Sequence, residues 1–173
     1  MTVKGPPFWG KYRGTVTKNN DDLGRGRIKV KVPDVLGDLE TGWCEPAFPY
    51  AGPQVGFFFL PPERAMVWIE FEHGDPERPI WTGCFLREGS ADLPLPVRVV
   101  PDKKIIKTAA WTITIDDTSG SAKLTIESGG ASPTQRVAIE QNKITIANGQ
   151  SPLATVVLEG AKVSINGTAL EVQ

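Results

Sequence analysis

The chain has 173 residues, with 19 Lys+Arg against 20 Asp+Glu and a single His, enough for one ordinary domain or two small ones. A net charge of −1 excludes a strongly basic surface built to neutralise phosphates, and no apolar run approaches the roughly 20 residues of a membrane span. The 18 Gly and 15 Pro are scattered throughout, and because these residues are the costliest in a helix interior, a helical bundle is excluded.

The N-terminal MTVKGPPFWG lacks the apolar stretch of a signal peptide, so a product that stays in the cell that makes it is expected. Tyr12–Thr17 is a weak strand candidate. Arg25–Val32 (RGRIKVKV) alternates, with Ile28, Val30 and Val32 on one face and Arg27, Lys29 and Lys31 on the other, and Pro33 ends it. Val55–Leu60 is a second weak candidate. Met66–Phe71 (MVWIEF) and Ile80–Phe85 (IWTGCF) are clearer strands, separated by the turn signal Glu72-His73-Gly74-Asp75-Pro76. About five short strands in ninety residues suit a small closed barrel such as an OB-fold. Cys44 and Cys84 are too few for a disulfide framework and too far apart for a CxxC site, so two free, largely buried thiols are expected.

A composition break follows. Of 14 aromatic residues, 13 lie between Phe8 and Phe85, and only Trp111 lies beyond. Residues 1–90 can therefore build an aromatic core. Residues 91–101, with Pro94, Pro96 and Pro101, read as an extended linker, and residues 102–173 must bury apolar surface in another way. Asp102–Ala110 has room for one or two helical turns, but β-branched alternation takes over from Trp111.

Short segments then recur: ITID, LTIE, VAIE, ITIA, VVLE, VSIN and ALEV, with steps of 11, 13, 7, 12, 7 and 7 residues from Ile113 through Leu124, Val137, Ile144, Val156 and Val163 to Leu170. Each offers two or three aliphatic side chains on one face, too few to bury alone. The steps are mostly too short for a three-faced single-chain β-helix, which favours three identical chains around one axis in a homotrimeric β-helix or prism. Such closure also removes open strand edges. In that arrangement Ile113, Ile115, Leu124, Ile126, Val137, Ile139, Ile144, Ile146, Val156, Leu158, Val163 and Ile165 are expected to point inward.

From Gly14 to Gly83 the motifs run GTVTKNNDDLGRGRIKVKVP, then Trp43 with PYAGPQVG, then LPPE and FEHGDPERPIWTG. This resembles the OB-fold domain of central spike proteins of contractile phage tails, the baseplate assembly protein V group. It is also similar to the matching domain of valine-glycine-repeat proteins of type VI secretion. The second half is similar to that family's intertwined trimeric β-helix by pattern. The resemblance implies an all-β trimeric spike, made in the bacterial cytoplasm and carried on the baseplate of a phage tail or phage-tail-like particle. A hub protein would meet the barrel end, and a small conical tip protein the narrow end, with transient contact to a target envelope and no specific nucleic acid. The sequence departs from the family where PE-x-G-D-E-V is common, reading Pro62-Glu63-Arg64-Ala65-Met66-Val67. It has no His after His73 for a tip iron, no room for a lysozyme insert, and about thirteen residues ahead of Gly14, too few for a fused hub.

No catalytic, metal or cofactor site is expected. Glu72, His73 and Asp75 belong to a turn, and Asp21-Asp22 and Asp116-Asp117 are expected in solvated loops. An alternative is a single-stranded nucleic-acid binder, with Arg25, Arg27, Lys29 and Lys31 as a basic barrel face and Phe57–Phe59 for stacking. Otherwise that stripe is a solvated outer face, and the Phe run is partly core and partly trimer contact. A purely structural fibre is a third reading. Leu170, Glu171, Val172 and Gln173 form a last strand whose end is expected to take the tip protein by β-extension.

Overall fold

A computed structural model describes residues 7–87, 100–129, 135–149, 154–167 and 169–172. Among the described residues the chain is all-β apart from two short helical turns, and it divides into two compact units, Met1–Leu93 and Pro94–Gln173. The linker expected at 91–101 lies outside the described residues except for its last two positions.

The first unit is built from β1 (Tyr12–Lys18), β2 (Lys29–Lys31), α1 (Pro33–Leu36), β3 (Glu45–Pro46), the hairpin β4 (Ala51–Gly52) and β5 (Val55–Gly56), then β6 (Met66–Phe71) and β7 (Pro79–Phe85). Its main sheet runs β2-β1-β6-β7-β3. The ring closes where Ile28, beside β2, bridges Cys44, beside β3, through Cys44 N–H donating to Ile28 O at 2.8 Å and Ile28 N–H to Cys44 O at 3.3 Å. Closure leaves one interior, filled by Val16, Ile28, Val30, Val32, Cys44, Val67, Ile69, Phe71 and Trp81. The alternation along β6 places Val67, Ile69 and Phe71 inward and Met66, Trp68 and Glu70 toward the outside. Ile69 is fully buried, so Ile69→Ala should destabilise the barrel by about 2–5 kcal/mol in a denaturant titration.

Several expectations change here. The regular strand expected from Arg25 shrinks to Lys29–Lys31, although Ile28, Val30 and Val32 do face inward. Gly24 and Gly26 have φ of 63° and 75°, which no strand accommodates, and a Cβ on Gly26 would meet the Phe48 ring at 2.6 Å. Pro33 starts a four-residue helix, using its fixed φ at a first helical position. The Phe57–Leu60 stretch is not strand; only Val55 and Gly56 pair, around a Pro53-Gln54 turn with Gln54 at φ 62°. Cys84 is exposed, whereas Cys44 is buried, which pushes its thiol up to about 11. At the departure from the family pattern, Arg64 sits at φ 70° in a turn closed by Ala65 N–H to Pro62 O.

The second unit is a single antiparallel meander of eight strands: β8 (Lys103–Lys107), β9 (Trp111–Asp116), β10 (Lys123–Ser128), β11 (Gln135–Glu140), β12 (Lys143–Asn148), β13 (Ala154–Glu159), β14 (Lys162–Ile165) and β15 (Leu170–Val172). Each strand pairs with its sequence neighbours in the same chain. Lys103–Lys107 is therefore strand, not the helical turn that DKKIIK had room for, because Ile105 and Ile106 alternate across β8 and pair in register with Thr114 and Ile113.

Candidate functional site

Register in the second unit decides which side chains share a face. Residues directly opposite in an antiparallel ladder lie on the same side of the sheet. One row runs Ile106, Ile113, Ile126, Val137, Ile146, Val156, Ile165 and Leu170 across all eight strands. The adjacent row on that face runs Lys104, Ile115, Leu124, Ile139, Ile144, Leu158 and Val163, with Val172 in the last position. All twelve aliphatic residues singled out in the sequence occupy these two rows. Ile106 and Leu170 extend the first row at both ends, and Lys104 stops the second.

In the single chain this face is open. Ile146 is 48% exposed, Ile115 44% and Ile139 42%, and none of the twelve is fully buried. The buried residues of the sheet are instead Thr125 and Ala138 on the opposite face. Among the described residues of this unit, no second layer covers either side. A contiguous two-row aliphatic patch across eight strands is far beyond scattered surface apolar residues, and it marks an interaction surface.

The two edge strands differ. β8 carries Lys103, Lys104 and Lys107, and charged residues on an edge discourage pairing with another strand. β15 reads Leu170-Glu171-Val172, with one charge, and Leu170 is 54% exposed. Gln173, the last residue of the expected docking segment, lies outside the described residues.

On the barrel, the basic stripe is largely paired off. Arg25 contacts Glu45 at 3.2 Å and Lys29 contacts Glu40 at 3.2 Å, while Lys31 is exposed. Arg27 is not a solvated cation: its side chain is only 14% exposed and forms a two-point bond to Asp21, 2.7 Å from Nη2 to Oδ1 and 3.0 Å from Nε to Oδ2. Asp21 was expected in a solvated loop and is instead buried. It also accepts the backbone N–H groups of Leu23 and Arg25, which ties the Gly24–Gly26 turn together. Lys18, Arg27 and Lys29 approach the Trp43 ring at 5.3, 5.4 and 5.5 Å, so a single indole gathers three cations.

The Arg27 guanidinium, followed by these backbone donors, holds the Asp21 carboxyl well below the usual carboxylate range despite its burial. A lowered folded pKa gives stability that is present above the unfolded carboxylate pKa and lost as pH falls through the folded value. The melting-temperature gap between wild type and Asp21→Asn should therefore be widest near neutral pH. It should narrow below the ordinary carboxylate range, as followed by circular dichroism.

The Phe run is more exposed than a core assignment allows, with Phe57, Phe58 and Phe59 at 47, 57 and 49%. Phe58 still stacks edge-on against Phe48 at 5.0 Å, and Phe48 against Trp81 at 5.7 Å, so the patch is anchored to the core. His73 sits in the single helical turn Glu72–Gly74 with φ 56°, largely exposed, and its nearest acidic oxygen is on Glu72 at 3.8 Å. No group of three or more His, Cys, Asp or Glu close enough to hold a metal ion occurs among the described residues.

Two family models match the chain. The one described as the type VI secretion system/phage-baseplate injector OB domain matches residues 12–86. The one described as the phage baseplate V C-terminal trimerisation domain matches residues 103–171. No curated protein matches.

Proposed function

From a chain that belongs to the phage-baseplate V family, a family of baseplate and spike proteins, we propose a homotrimeric, membrane-piercing central spike that links the hub of a contractile tail to a tip protein. The observation that carries this reading is the open two-row aliphatic face on residues matched by a trimerisation domain. Completing the burial of a half-exposed Ile or Leu is worth about 1 kcal/mol. Six of the twelve in each chain are 37–48% exposed and the other six less so, which over three chains gives a gain comparable to the roughly 4–15 kcal/mol lost on each association step. Three sheets facing inward make a prism with a dry aliphatic core, and main-chain hydrogen bonds within each wall make it stiff.

In this reading the mechanism is mechanical. Sheath contraction drives the tube, the barrels transmit the thrust from the hub, and the narrow needle concentrates it on the target envelope. β15 is the docking edge for a small conical tip protein, since it lacks the lysines that guard β8. The pairing of Arg25, Arg27 and Lys29 with carboxylates weighs against a nucleic-acid groove on the barrel.

Light scattering should give about three times the 18.8 kDa chain mass, and a monodisperse monomer would overturn the trimer. Truncation after residue 92 should leave a folded barrel that associates weakly or not at all.

A further inference from the structure

The needle sheet carries a second pattern, on the face opposite its aliphatic rows. Lys103, Asp116, Lys123, Glu140, Lys143, Glu159 and Lys162 stand opposite one another in register across seven consecutive strands, alternating in sign without exception. Their placement relative to the loops is equally regular. The connections β9–β10, β11–β12 and β13–β14 lie at the ladder's end of the sheet, whereas β8–β9, β10–β11 and β12–β13 are joined at the far end. The ion pairs fall on the second group: Lys103–Asp116 at 3.2 Å, Lys123–Glu140 at 2.6 Å and Lys143–Glu159 at 3.7 Å. Along this edge each neighbouring pair of strands from β8 to β14 is thus held by a covalent turn or by a salt bridge.

The aliphatic rows supply this information only in part. A one-residue slip throws the aliphatic side chains onto the wrong face, so hydrophobic burial opposes it. A two-residue slip keeps Ile, Val and Leu facing inward but retains only one of the two aliphatic pairs between neighbouring strands: on β10 and β11, Leu124 would meet Val137 while Ile126 would face Gln135. The ladder adds a charge penalty to that slip: moving β11 by two residues sets Lys123 beside Ala138 and Glu140 beside Ser121, which breaks their ion pair. Before other copies arrive, no second layer among the described residues packs on this sheet to help hold its register.

We propose that the ladder is a register lock, holding each needle sheet in the one alignment whose aliphatic rows match those of the other two copies. Exposed pairs are individually weak, but each interior member of this row has an oppositely charged neighbour on both sides. The lock rests on the trimer reading, and the test separates the two.

In the full chain, Glu140→Lys sets three cations side by side in every copy. It should lower the trimer fraction at limiting concentration about tenfold at low salt. Amide-exchange protection of β10–β12 should fall with it. The deficit should shrink near 1 M salt, where the Debye length is about 3 Å. Inverting the whole row (Lys103→Glu, Asp116→Lys, Lys123→Glu, Glu140→Lys, Lys143→Glu, Glu159→Lys, Lys162→Glu) preserves the alternation and should restore both readouts. A Glu140→Lys chain that assembles and exchanges like wild type overturns the lock, as does an inverted row as defective as the single reversal. A wild-type chain that never trimerises would instead defeat the trimer reading, while its exchange protection would still report on the lock.

Discussion

Ile146→Asp should abolish trimer assembly, leaving monomer or aggregate in light scattering and removing the cooperative melt of the needle. Ile146 sits mid-row, opposite Val137 on one side and Val156 on the other, in the middle of the meander. If the aliphatic face is the interior of the needle, threefold symmetry brings three carboxylates to one level of the core. Each buried unpaired charge costs several kcal/mol, so the three together cost about 10 kcal/mol or more, comparable to the whole stability of a domain. Thr155→Asp is the matched control, because Thr155 is partly exposed on the opposite face of the neighbouring strand, one residue before Val156 of the same row. It should assemble nearly as wild type. Equal tolerance of the two substitutions would show that the aliphatic face does not line the core.

The two faces of the second unit's sheet were legible because a period of two is the simplest signal a sequence carries. Each ITID- or VVLE-like segment declares an aliphatic and a polar side, and the antiparallel register then collects those sides into rows. The charge ladder was present in the same segments, in residues such as Lys123, Glu140 and Lys143 that flank the aliphatic pairs. It stayed hidden because single charges at strand ends read as solvation until the pairing is known. In the barrel, β6 was clear from MVWIEF, but the stretch before β2 was not. There the strand pattern of RGRIKVKV conflicted with Gly24 and Gly26, and the left-handed turn prevailed because Asp21 supplies the acceptors that fix it. Asp21 itself could not be identified as buried from a DD dipeptide. Its partner Arg27 is six residues away, and alternation alone placed that arginine on an outer face. The Phe57–Leu60 exposure was missed for a related reason: an apolar run of four residues looks like core whether or not a sheet continues through it.

Removing the last six residues should abolish binding of a co-expressed conical tip protein from the same gene cluster while leaving the trimer intact. The argument begins from the asymmetry of the two edges. Three lysines on β8 oppose the approach of another strand, whereas the β15 sequence Leu170-Glu171-Val172 carries a single charge. Leu170 also continues the longer aliphatic row, so an added strand would both pair with the backbone of β15 and cover the exposed end of that row. Strand addition gains net free energy of about 0.5–1.5 kcal/mol per backbone hydrogen bond, and three symmetry-related edges acting together make a loss of at least about a hundredfold in affinity the expected result. The truncation leaves β8 through β14 and all twelve residues of the aliphatic face in place, which is why the trimer mass should not change. Leu170→Lys supplies the finer variant: it keeps the strand, places on it the kind of charge that guards β8, and should weaken tip binding without altering the trimer. Undiminished capture of the tip protein by the truncated trimer would move the docking surface away from β15.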